Sequence, residues 1–396
     1  MISKINNPEV IRFIQEHANN DPATIALQAR KYPELPIREI AIQIASRQKS
    51  ESKLPEWWGN PQVIFPPKEN LEQASSEITA KFKSRWIEGN SILDLTGGSG
   101  VDLFYMSSGF ERVVYVEPNK ELAAITEFNF KLFGRQLEAH IAKAGDILSK
   151  IDSHFDVIYL DPSRRDFNKK RVFGLEEYQP NVVELYELLI EKGNEVVIKT
   201  SPMIDIKSTL ELLPDTFKAQ VLAVDNEVKE VLFYLKKDTD VTPQIEAWNI
   251  SELKPDQKFA FTLEEENEAA SEYSNPMKYI YEPNSAIRKA GAFNLTGTKF
   301  GLRKLHPNTH LYTSEIIIEN FPGRVFEVLE LIKPNKKEIK KVYPKGIVNV
   351  ISKNFPMGAN KIKKKFRLKD GREEFLVFCT ISKEKKIALQ TRITHS

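Results

Sequence analysis

The sequence predicts an α/β protein whose largest part is a doubly wound, mostly parallel β-sheet. Short apolar segments alternate with stretches long enough for crossover helices, notably 120–132 and 180–191. The last two apolar segments lie too close together for a crossover helix, which favours an antiparallel pair at one sheet edge. Seven strands are therefore expected, at 92–95, 112–116, 139–142, 156–160, 195–199, 218–223 and 230–235.

Changes in the residue pattern along the chain indicate four domains, at 1–75, 76–240, 241–320 and 321–396. The first is predicted to be helical, with helices near 8–17, from Asp21-Pro22 onward and at 37–44. One amphipathic helix over 71–86 is expected to deliver the chain to the first strand of the sheet.

Beyond residue 240 the alternation ends and smaller α+β modules are expected. Strands are predicted at 244–250 and 257–263, followed by an acidic loop or domain boundary at 264–272. The next module has strands at 278–283 and 314–319 around a short helix at 285–293. The terminal segment adds a strand at 346–352 and a basic stretch at 360–370.

Charge is distributed unevenly along the chain. The formal net charge is +2, but residues 321–396 carry 19 Lys/Arg against 7 Asp/Glu, a net of +12. The preceding 320 residues therefore carry −10. A basic terminal block on an acidic body favours a polyanionic partner, most simply a nucleic acid.

Several classes of protein are not expected. A single cysteine, Cys379, excludes an intramolecular disulfide framework, and no Cys/His cluster has zinc spacing. No apolar run approaches the roughly 20 residues that span a bilayer, and the amino terminus lacks a secretory signal. We expect a cytoplasmic protein without a metal or membrane partner. Nothing in the sequence indicates an oligomeric state.

Acidic residues follow the predicted strands, where a doubly wound sheet binds its ligands. Asp94 ends the first strand and leads into a Gly-Gly-Ser-Gly turn at 97–100. Glu117 follows the second strand and is suited to accept hydrogen bonds from a ribose diol. Asp146, in the segment HIAKAGDIL, is suited to an adenine amino group, and Asp161 ends the fourth strand. We interpret this series as a nucleotide-cofactor site.

Two nucleotide cofactors compete for this pattern. A dinucleotide fingerprint asks for a third small residue, but Leu103 occupies that position. Acids at the strand ends would also repel a pyrophosphate. S-adenosylmethionine has no phosphate and carries a sulfonium, so an acidic lining favours it.

At these motifs, residues 76–238 resemble the class I S-adenosylmethionine-dependent methyltransferases, which have a Rossmann-like sheet. DLTGGSG, VEP, GDIL and DPSRR correspond to the family's glycine, ribose, adenine and catalytic-loop motifs. Thr96 stands where the commonest form has glycine. The cofactor-binding residues that the motifs and the resemblance indicate are Asp94, Thr96, Gly97, Gly98, Gly100, Glu117, Asp146 and Ile147.

The last third of the chain is similar to the ferredoxin-like plus THUMP-like tail of a bacterial methyltransferase family. YIYEPNSAIRKAGAF and GIVNVISKNFPMGANKIKKKFRLKDG carry this similarity. It implies an RNA substrate, such as tRNA or rRNA. The basic segment indicates a surface that follows phosphates, formed by Lys361, Lys363, Lys364, Lys365 and Arg367.

The methylated atom is left open by the motifs. C5 methylation of a pyrimidine needs a cysteine nucleophile, whereas Cys379 lies in an apolar run and is expected in a core. In the leading hypothesis Asp161 and the Pro162 carbonyl accept hydrogen bonds from a base N–H, giving an N-methylated base.

In the alternative hypothesis, Asp161, Lys199, Glu230 and a lysine from the helix before the first strand surround a ribose 2′-hydroxyl. Arg164 and Arg165 either grip a phosphate or pair with acids of their own loop. The expected catalytic residues are therefore Asp161, Pro162, Arg164 and Lys199. DNA or protein as the substrate, or an RNA-binding protein on an inactive scaffold, remain alternatives.

Overall fold

Seven helices precede the first strand in the structure, a computed structural model that describes residues 2–164 and 174–395. Asn7 and Asp21 cap two of them by accepting backbone N–H bonds, as their sequence signals predict. The helices are α1 (Ile2–Ile5), α2 (Pro8–Glu16), α3 (Pro22–Ala26), α4 (Ile37–Ser50), α5 (Pro55–Gly59), α6 (Lys68–Gln73) and α7 (Glu77–Ser84).

The prediction of a single helix over 71–86 is wrong, because two helices, α6 and α7, cover this stretch. The chain leaves the helical conformation after Gln73, and α7 starts again at Glu77, with Ser76 extended as its N-cap. Serine competes with helical hydrogen bonding through its side chain, and the hydroxyl of Ser75 here bonds the carboxylate of Asp102. Because the helix is interrupted here, the Ser75 side chain is able to bond Asp102, a residue outside α6 and α7.

Strands and helices then alternate as the apolar pattern predicts. They are β1 (Ser91–Asp94), α8 (Val101–Met106), β2 (Arg112–Val116), α9 (Lys120–Leu132), β3 (Glu138–His140), α10 (Ala144–Lys150), β4 (Phe155–Leu160), β5 (Ser163–Arg164), β6 (Tyr178–Gln179), α11 (Val182–Lys192), β7 (Gly193–Thr200), α12 (Ile206–Leu212), β8 (Thr216–Val224) and β9 (Glu227–Leu235).

The sheet is doubly wound, and its order reverses beside β1. Strand β1 pairs in parallel with both β2 and β4, while β2 pairs with β3 and β4 with β7. Strand β9 pairs antiparallel with β7. A two-residue turn, Asp225 at φ 48° and Asn226 at φ 66°, joins the neighbouring strands β8 and β9. The predicted pairing of these two segments is thus formed, but their predicted place at a sheet edge is wrong, because β3 and a later strand, Gln257–Phe261, are the edge strands. The carboxyl ends of β1 and β4 thus flank the switch point, where ligands bind in this fold.

The predicted strand count is too low. The sheet has nine strands in the order β3-β2-β1-β4-β7-β9-β8-β10-β11, because β10 (Gln244–Ile250) and β11 (Gln257–Phe261) extend it. Both segments were predicted as strands of a separate module. Apolar alternation identifies a strand, but it does not say which sheet the strand joins.

The chain forms two compact units. One comprises Met1–Lys218 with Val231–Val241, and the other comprises Ala219–Glu230 with Thr242–Ser396. The four domain boundaries drawn from the sequence stay predictions. Among the described residues, no helix is both long and apolar enough to cross a membrane.

The second unit contains a seven-stranded sheet in the order β13-β14-β12-β15-β18-β17-β16. Its elements are α13 (Leu263–Glu268), β12 (Tyr279–Pro283), α14 (Ser285–Ala290), α15 (Leu295–Phe300), β13 (Arg303–His306), β14 (Thr309–Ser314), β15 (Gly323–Ile332), α16 (Lys336–Val342), β16 (Asn349–Lys353), α17 (Ala359–Phe366), β17 (Glu374–Ile381) and β18 (Lys385–His395). The sheet curls on itself, since Thr309 on β14 donates to the Thr380 carbonyl on β17 at 2.6 Å.

Two local predictions in this unit are wrong. The acidic stretch expected as a loop contains α13, because Thr262 and Glu265 form a capping box at its start. The strand expected at 314–319 is not formed. The chain turns there, with Ile316 67% exposed, and the preceding residues form β14 instead.

Candidate active site

The turn after β1 is organised by Asp94. Its buried carboxylate accepts a hydrogen bond from the Thr96 backbone N–H at 2.9 Å. Burial raises the pKa of Asp94 to about 8, and the N–H bond from Thr96 opposes that rise. In this structure Asp94 orients the backbone of the turn that Thr96 begins.

The structure favours glycine at positions 97, 98 and 100 of this turn for different reasons. A Cβ on Gly97 would lie 2.0 Å from the ring of Tyr115. Gly100 has φ 72°, and its Cβ would lie 2.4 Å from the Thr126 Cγ2 on α9. Gly98 has φ 53°, and a Cβ there would lie 3.6 Å from the Thr96 carbonyl oxygen, an ordinary contact. Gly97 and Gly100 therefore allow close packing within the protein, whereas at Gly98 the positive φ favours glycine without any close contact.

Glu117, directly after β2, holds the same turn from the other side. Its carboxylate accepts N–H bonds from Gly98 at 3.1 Å and from Asn119 at 2.8 Å. The Tyr115 hydroxyl donates to the Gly98 carbonyl at 2.6 Å. The ribose residue predicted from the sequence therefore lies against the glycine turn, beside the Gly98 backbone.

The predicted adenine residues lie elsewhere than expected. Strand β3 ends at His140, and Asp146 and Ile147 fall within α10 rather than at a strand end. Asp146 is exposed in the first turn of that helix, and Ile147 is half-buried. The segment 144–150 contains good helix formers, and Lys143 takes the extended conformation of its N-cap. The series of four acids at four strand ends is thus reduced to three.

Asp161 follows β4 directly and is tied to the glycine turn. Its backbone N–H donates to the Thr96 hydroxyl at 2.6 Å. Pro162 is buried, and β5 pairs with β6 so that Ser163 faces Gln179 and Arg164 faces Tyr178. The Arg164 side chain and Arg165 lie outside the described residues.

Lys199, near the end of β7, joins Asp161 to a buried polar network. Its ammonium lies 2.6 Å from the Asp161 carboxylate and 2.9 Å from the Asp102 carboxylate. It also donates to the Ser75 hydroxyl at 2.9 Å. The Lys199 side chain is 8% exposed, whereas that of Asp161 is 37% exposed. Asp161 is therefore the member of this ion pair that faces outward.

Asp102 on α8 is the centre of the network. It accepts hydrogen bonds from Tyr159 at 2.8 Å and Ser75 at 2.7 Å, and the fully buried Lys83 on α7 lies 3.1 Å away. Its two lysine partners hold the pKa of Asp102 below its ordinary range despite burial. Burial raises the pKa of Asp161, and Lys199 opposes that rise.

Sequence reasoning missed most of this network. It anticipated a lysine before the first strand, which Lys83 provides, but it did not single out Ser75, Asp102 or Tyr159. A signal for Asp102 was present, because it is the only charged residue in the apolar helix VDLFYM. A buried charge in such a helix needs a partner, and so points to a site.

The residues predicted to bind RNA lie on and just after α17. Lys361, Lys364, Lys365 and Arg367 are exposed, while Lys363 pairs with Asp370 at 2.5 Å. Cys379 is buried in β17, as predicted, and burial raises the pKa of its thiol to about 12. A thiol in that position is not available as a nucleophile.

The donor set of the first unit fits S-adenosylmethionine. Glu117 places a carboxylate and Asp94 a carboxyl group against the glycine turn, and the backbone of Asp161 is bonded to Thr96 of the same turn, which suits a ligand with cationic groups and ribose hydroxyls. Gly98, at φ 53°, adds no side chain to this turn. Within the described residues there is no group of three or more His, Cys, Asp or Glu able to hold a metal.

The chain is similar to methyltransferases of known sequence or structure. A methyltransferase crystal structure from Porphyromonas gingivalis W83 is similar over 98% of each chain, at 32% identity and a TM-score of 0.87. Two proteins of Mycobacterium tuberculosis, from strains CDC 1551 / Oshkosh and ATCC 25618 / H37Rv, are 23% identical over 324 residues. The match covers 79% of this chain and 84% of theirs, and both are named uncharacterized S-adenosylmethionine-dependent methyltransferases.

Three family models match successive parts of the chain. Residues 66–214 match conserved hypothetical protein 95, residues 279–322 match a ferredoxin-like domain, and residues 323–392 match a THUMP domain-like family. Together with the relative that matches nearly the whole chain, they establish the family. The protein is a class I S-adenosylmethionine-dependent methyltransferase with C-terminal ferredoxin-like and THUMP-like domains.

Proposed function

We propose that the enzyme N-methylates a base in a structured RNA, a tRNA or an rRNA. The observation that carries this proposal is the arrangement of Lys199 between Asp161, Asp102 and Ser75. An ammonium has three hydrogens, and here three acceptors surround it. Lys199 is therefore held as a cation, and Asp161 is held as an outward-facing hydrogen-bond acceptor.

S-adenosylmethionine, when bound, supplies an electrophilic methyl group on its sulfonium. We propose that Asp161 accepts a hydrogen bond from the base N–H and so aims the nitrogen lone pair, with the Pro162 carbonyl as a second acceptor. The new nitrogen–carbon bond forms as the sulfur–carbon bond breaks, and the nitrogen then loses its proton to Asp161 or to water. Lys199 keeps Asp161 in place throughout.

The cofactor-binding residues are part of the same proposal. Asp94, Thr96, Gly97, Gly98 and Gly100 shape the turn, and Gly98 gives the cofactor room. We assign the ribose hydroxyls to Glu117, because its carboxylate already lies against the Gly98 backbone. Asp146 and Ile147 remain the candidates for adenine, now from the first turns of α10.

The proposal of RNA rests on the basic terminal segment and on the match to a THUMP domain-like family. Exposed Lys361, Lys364, Lys365 and Arg367 would track phosphates, with Lys363 next to them. Arg164 remains a candidate for gripping a phosphate near the reacting base. A cytoplasmic location also stays a prediction.

Ribose 2′-O-methylation is the second candidate, and one observation favours it. Lys83, from the helix before β1, is buried in the same network as Lys199 and Asp161. A lysine acting on a hydroxyl must first lose a proton. The three acceptors around Lys199 oppose that loss, so we place base methylation first.

Mass spectrometry of RNA nucleosides with and without the gene tests both candidates. We expect one base-methylated nucleoside to disappear and to return with the wild-type gene but not with Asp161→Asn. Loss of a 2′-O-methylated nucleoside would instead establish the ribose reaction. An unchanged RNA profile, with labelled methyl groups transferred to DNA or protein, would overturn the proposed RNA substrate.

A further inference from the structure

Glu282, near the end of β12, is a buried carboxylate surrounded by three cations. Its Oε1 lies 2.7 Å from Arg288 Nη1 and 2.7 Å from Lys353 Nζ. Its Oε2 accepts from Arg324 through both Nε and Nη2. The cations come from three different elements, α14, β15 and β16. One acid thus gathers side chains from distant parts of the second unit.

The charges of this cluster do not balance. Three cations around a single carboxylate leave a surplus of two positive charges. Lys353, Arg324 and Arg288 lower the pKa of Glu282 to about 2, against the effect of burial, so the acid is ionised at neutral pH. One cation is enough to neutralise one buried carboxylate, so the second and third cations are in excess.

The positive charge of this cluster also acts on a neighbouring side chain, that of His310. Burial and the charges of Lys304, Lys353 and Arg288 lower the pKa of His310 to about 4, so that histidine is neutral. Its buried Nδ1 has no hydrogen-bond partner in the described part of the chain, and its ring stacks on Phe293 at 3.8 Å. Burial is the larger cause of this shift, and the three positive charges add to it; the same charges attract an anion.

The cations are accessible although the acid is not. The side chains of Arg288, Arg324 and Lys353 are 24%, 31% and 24% exposed, whereas that of Glu282 is 3% exposed. Each guanidinium has five N–H donors, and Glu282 uses one from Arg288 and two from Arg324. The remaining donors belong to side chains whose positions Glu282 fixes, which lowers the entropy cost of binding a ligand.

From this geometry we infer that Glu282 assembles a phosphate-binding site in which Arg288, Arg324 and Lys353 hold the RNA backbone. This inference rests on the proposed RNA substrate. Planar guanidinium groups match the oxygens of a phosphodiester, and two of them share one buried template here. The site is built from other side chains than the lysines of α17, so it adds a second group of phosphate contacts.

Binding of a fluorescein-labelled RNA hairpin with a single-stranded overhang tests the site by anisotropy over a salt series. We expect Arg288→Gln and Arg324→Gln to weaken binding by roughly three- to tenfold near 0.1 M salt, each lowering the salt slope by about 0.7 to 0.9. Glu282→Gln raises the net charge by one but removes the carboxylate that positions the three cations, so it should bind more weakly than the wild type.

Arg303→Gln is the matched control. Arg303 lies in the same unit in an exposed one-to-one pair with Glu272, so its removal takes one positive charge away outside the cluster. We expect binding within about twofold of the wild type. Wild-type affinity in folded Arg288→Gln and Arg324→Gln would overturn the site while leaving the RNA substrate standing. No binding by the wild type would overturn both.

A footprint of the wild-type protein decides the question if the variants do not fold. An arginine-specific dicarbonyl reagent, followed by peptide mass spectrometry, should modify Arg288 and Arg324 less when the RNA hairpin is bound. Arg303 should be modified equally with and without RNA. Equal modification of all three arginines, under conditions where the RNA is bound, would refute the phosphate site.

Discussion

The hydroxyl of Thr96 accepts a hydrogen bond from the backbone N–H of Asp161 at 2.6 Å. This bond connects the glycine turn after β1 to the first residue of the loop after β4. The same threonine donates its own N–H to Asp94. A glycine, the commonest residue at this position in the family it resembles, has no hydroxyl to form the link.

Thr96→Val is expected to lower the rate of methyl transfer by about tenfold, because the Asp161 N–H loses its acceptor. Affinity for S-adenosylmethionine should change less than the rate, since Asp94 still holds the turn backbone. Single-turnover transfer of a labelled methyl group and calorimetric titration measure the two effects. Thr96→Ser keeps the hydroxyl and should retain most activity; equal rates for Val and Ser would contradict the link.

Lys199→Met is expected to destabilise the fold by roughly 3–5 kcal/mol, because it leaves Asp102 and Asp161 close together with one cation fewer. Denaturant unfolding at neutral pH measures the loss. The variant should regain part of its stability toward pH 5, where a carboxylate without its cation takes up a proton. Lys192→Met, at the end of α11, removes a lysine outside this network and serves as the control. A pH-independent loss would argue against the ion pair.

The stability of the protein should fall with rising pH through the titration of Asp94. Its pKa is about 8 in the folded protein and 3.8 ordinarily, so between these values the folded state binds a proton that the unfolded state lacks. This contribution is complete below about pH 4 and is lost as pH rises through about 8. Unfolding free energies at pH 5, 6.5 and 8 should therefore drop more steeply for the wild type than for Asp94→Asn. Parallel curves would refute the shifted pKa.

Gly100→Ala is expected to cost more stability than Gly109→Ala, although both glycines have positive φ. A Cβ on Gly100 would lie 2.4 Å from Thr126 Cγ2, whereas one on Gly109 meets nothing within 4 Å. We expect about 1 kcal/mol for Gly109→Ala from the backbone alone, and about 1–3 kcal/mol more for Gly100→Ala. Thermal and denaturant unfolding compare them.

Thr126→Ser in the Gly100→Ala background provides the decisive control for that prediction. The change removes Cγ2, which causes the clash, and keeps the hydroxyl that bonds the Gly98 carbonyl. We expect it to recover most of the additional loss. Failure to recover it would place the cost of Gly100→Ala somewhere other than in this contact.

Much of the sheet could be predicted from local pattern, since strands and helices differ in the period of their apolar residues. The strand β2 and the helix α9 have the predicted bounds. The prediction failed where a side chain overrode the pattern. Ser75 breaks the expected helix over 71–86, and the capping box of α13 turns an acidic loop into a helix.

The sequence by itself determined the fold class, the glycine turn and the acids beside it, because these features are encoded within short segments. Only the tertiary structure decided which charges meet. Lys83, Asp102 and Lys199 stand far apart in the chain, and the sheet brings them together beneath Asp161. It likewise gathers Arg288, Arg324 and Lys353 around Glu282. Burial and pairing of charges depend on distances between segments, and local periodicity carries no information about those distances.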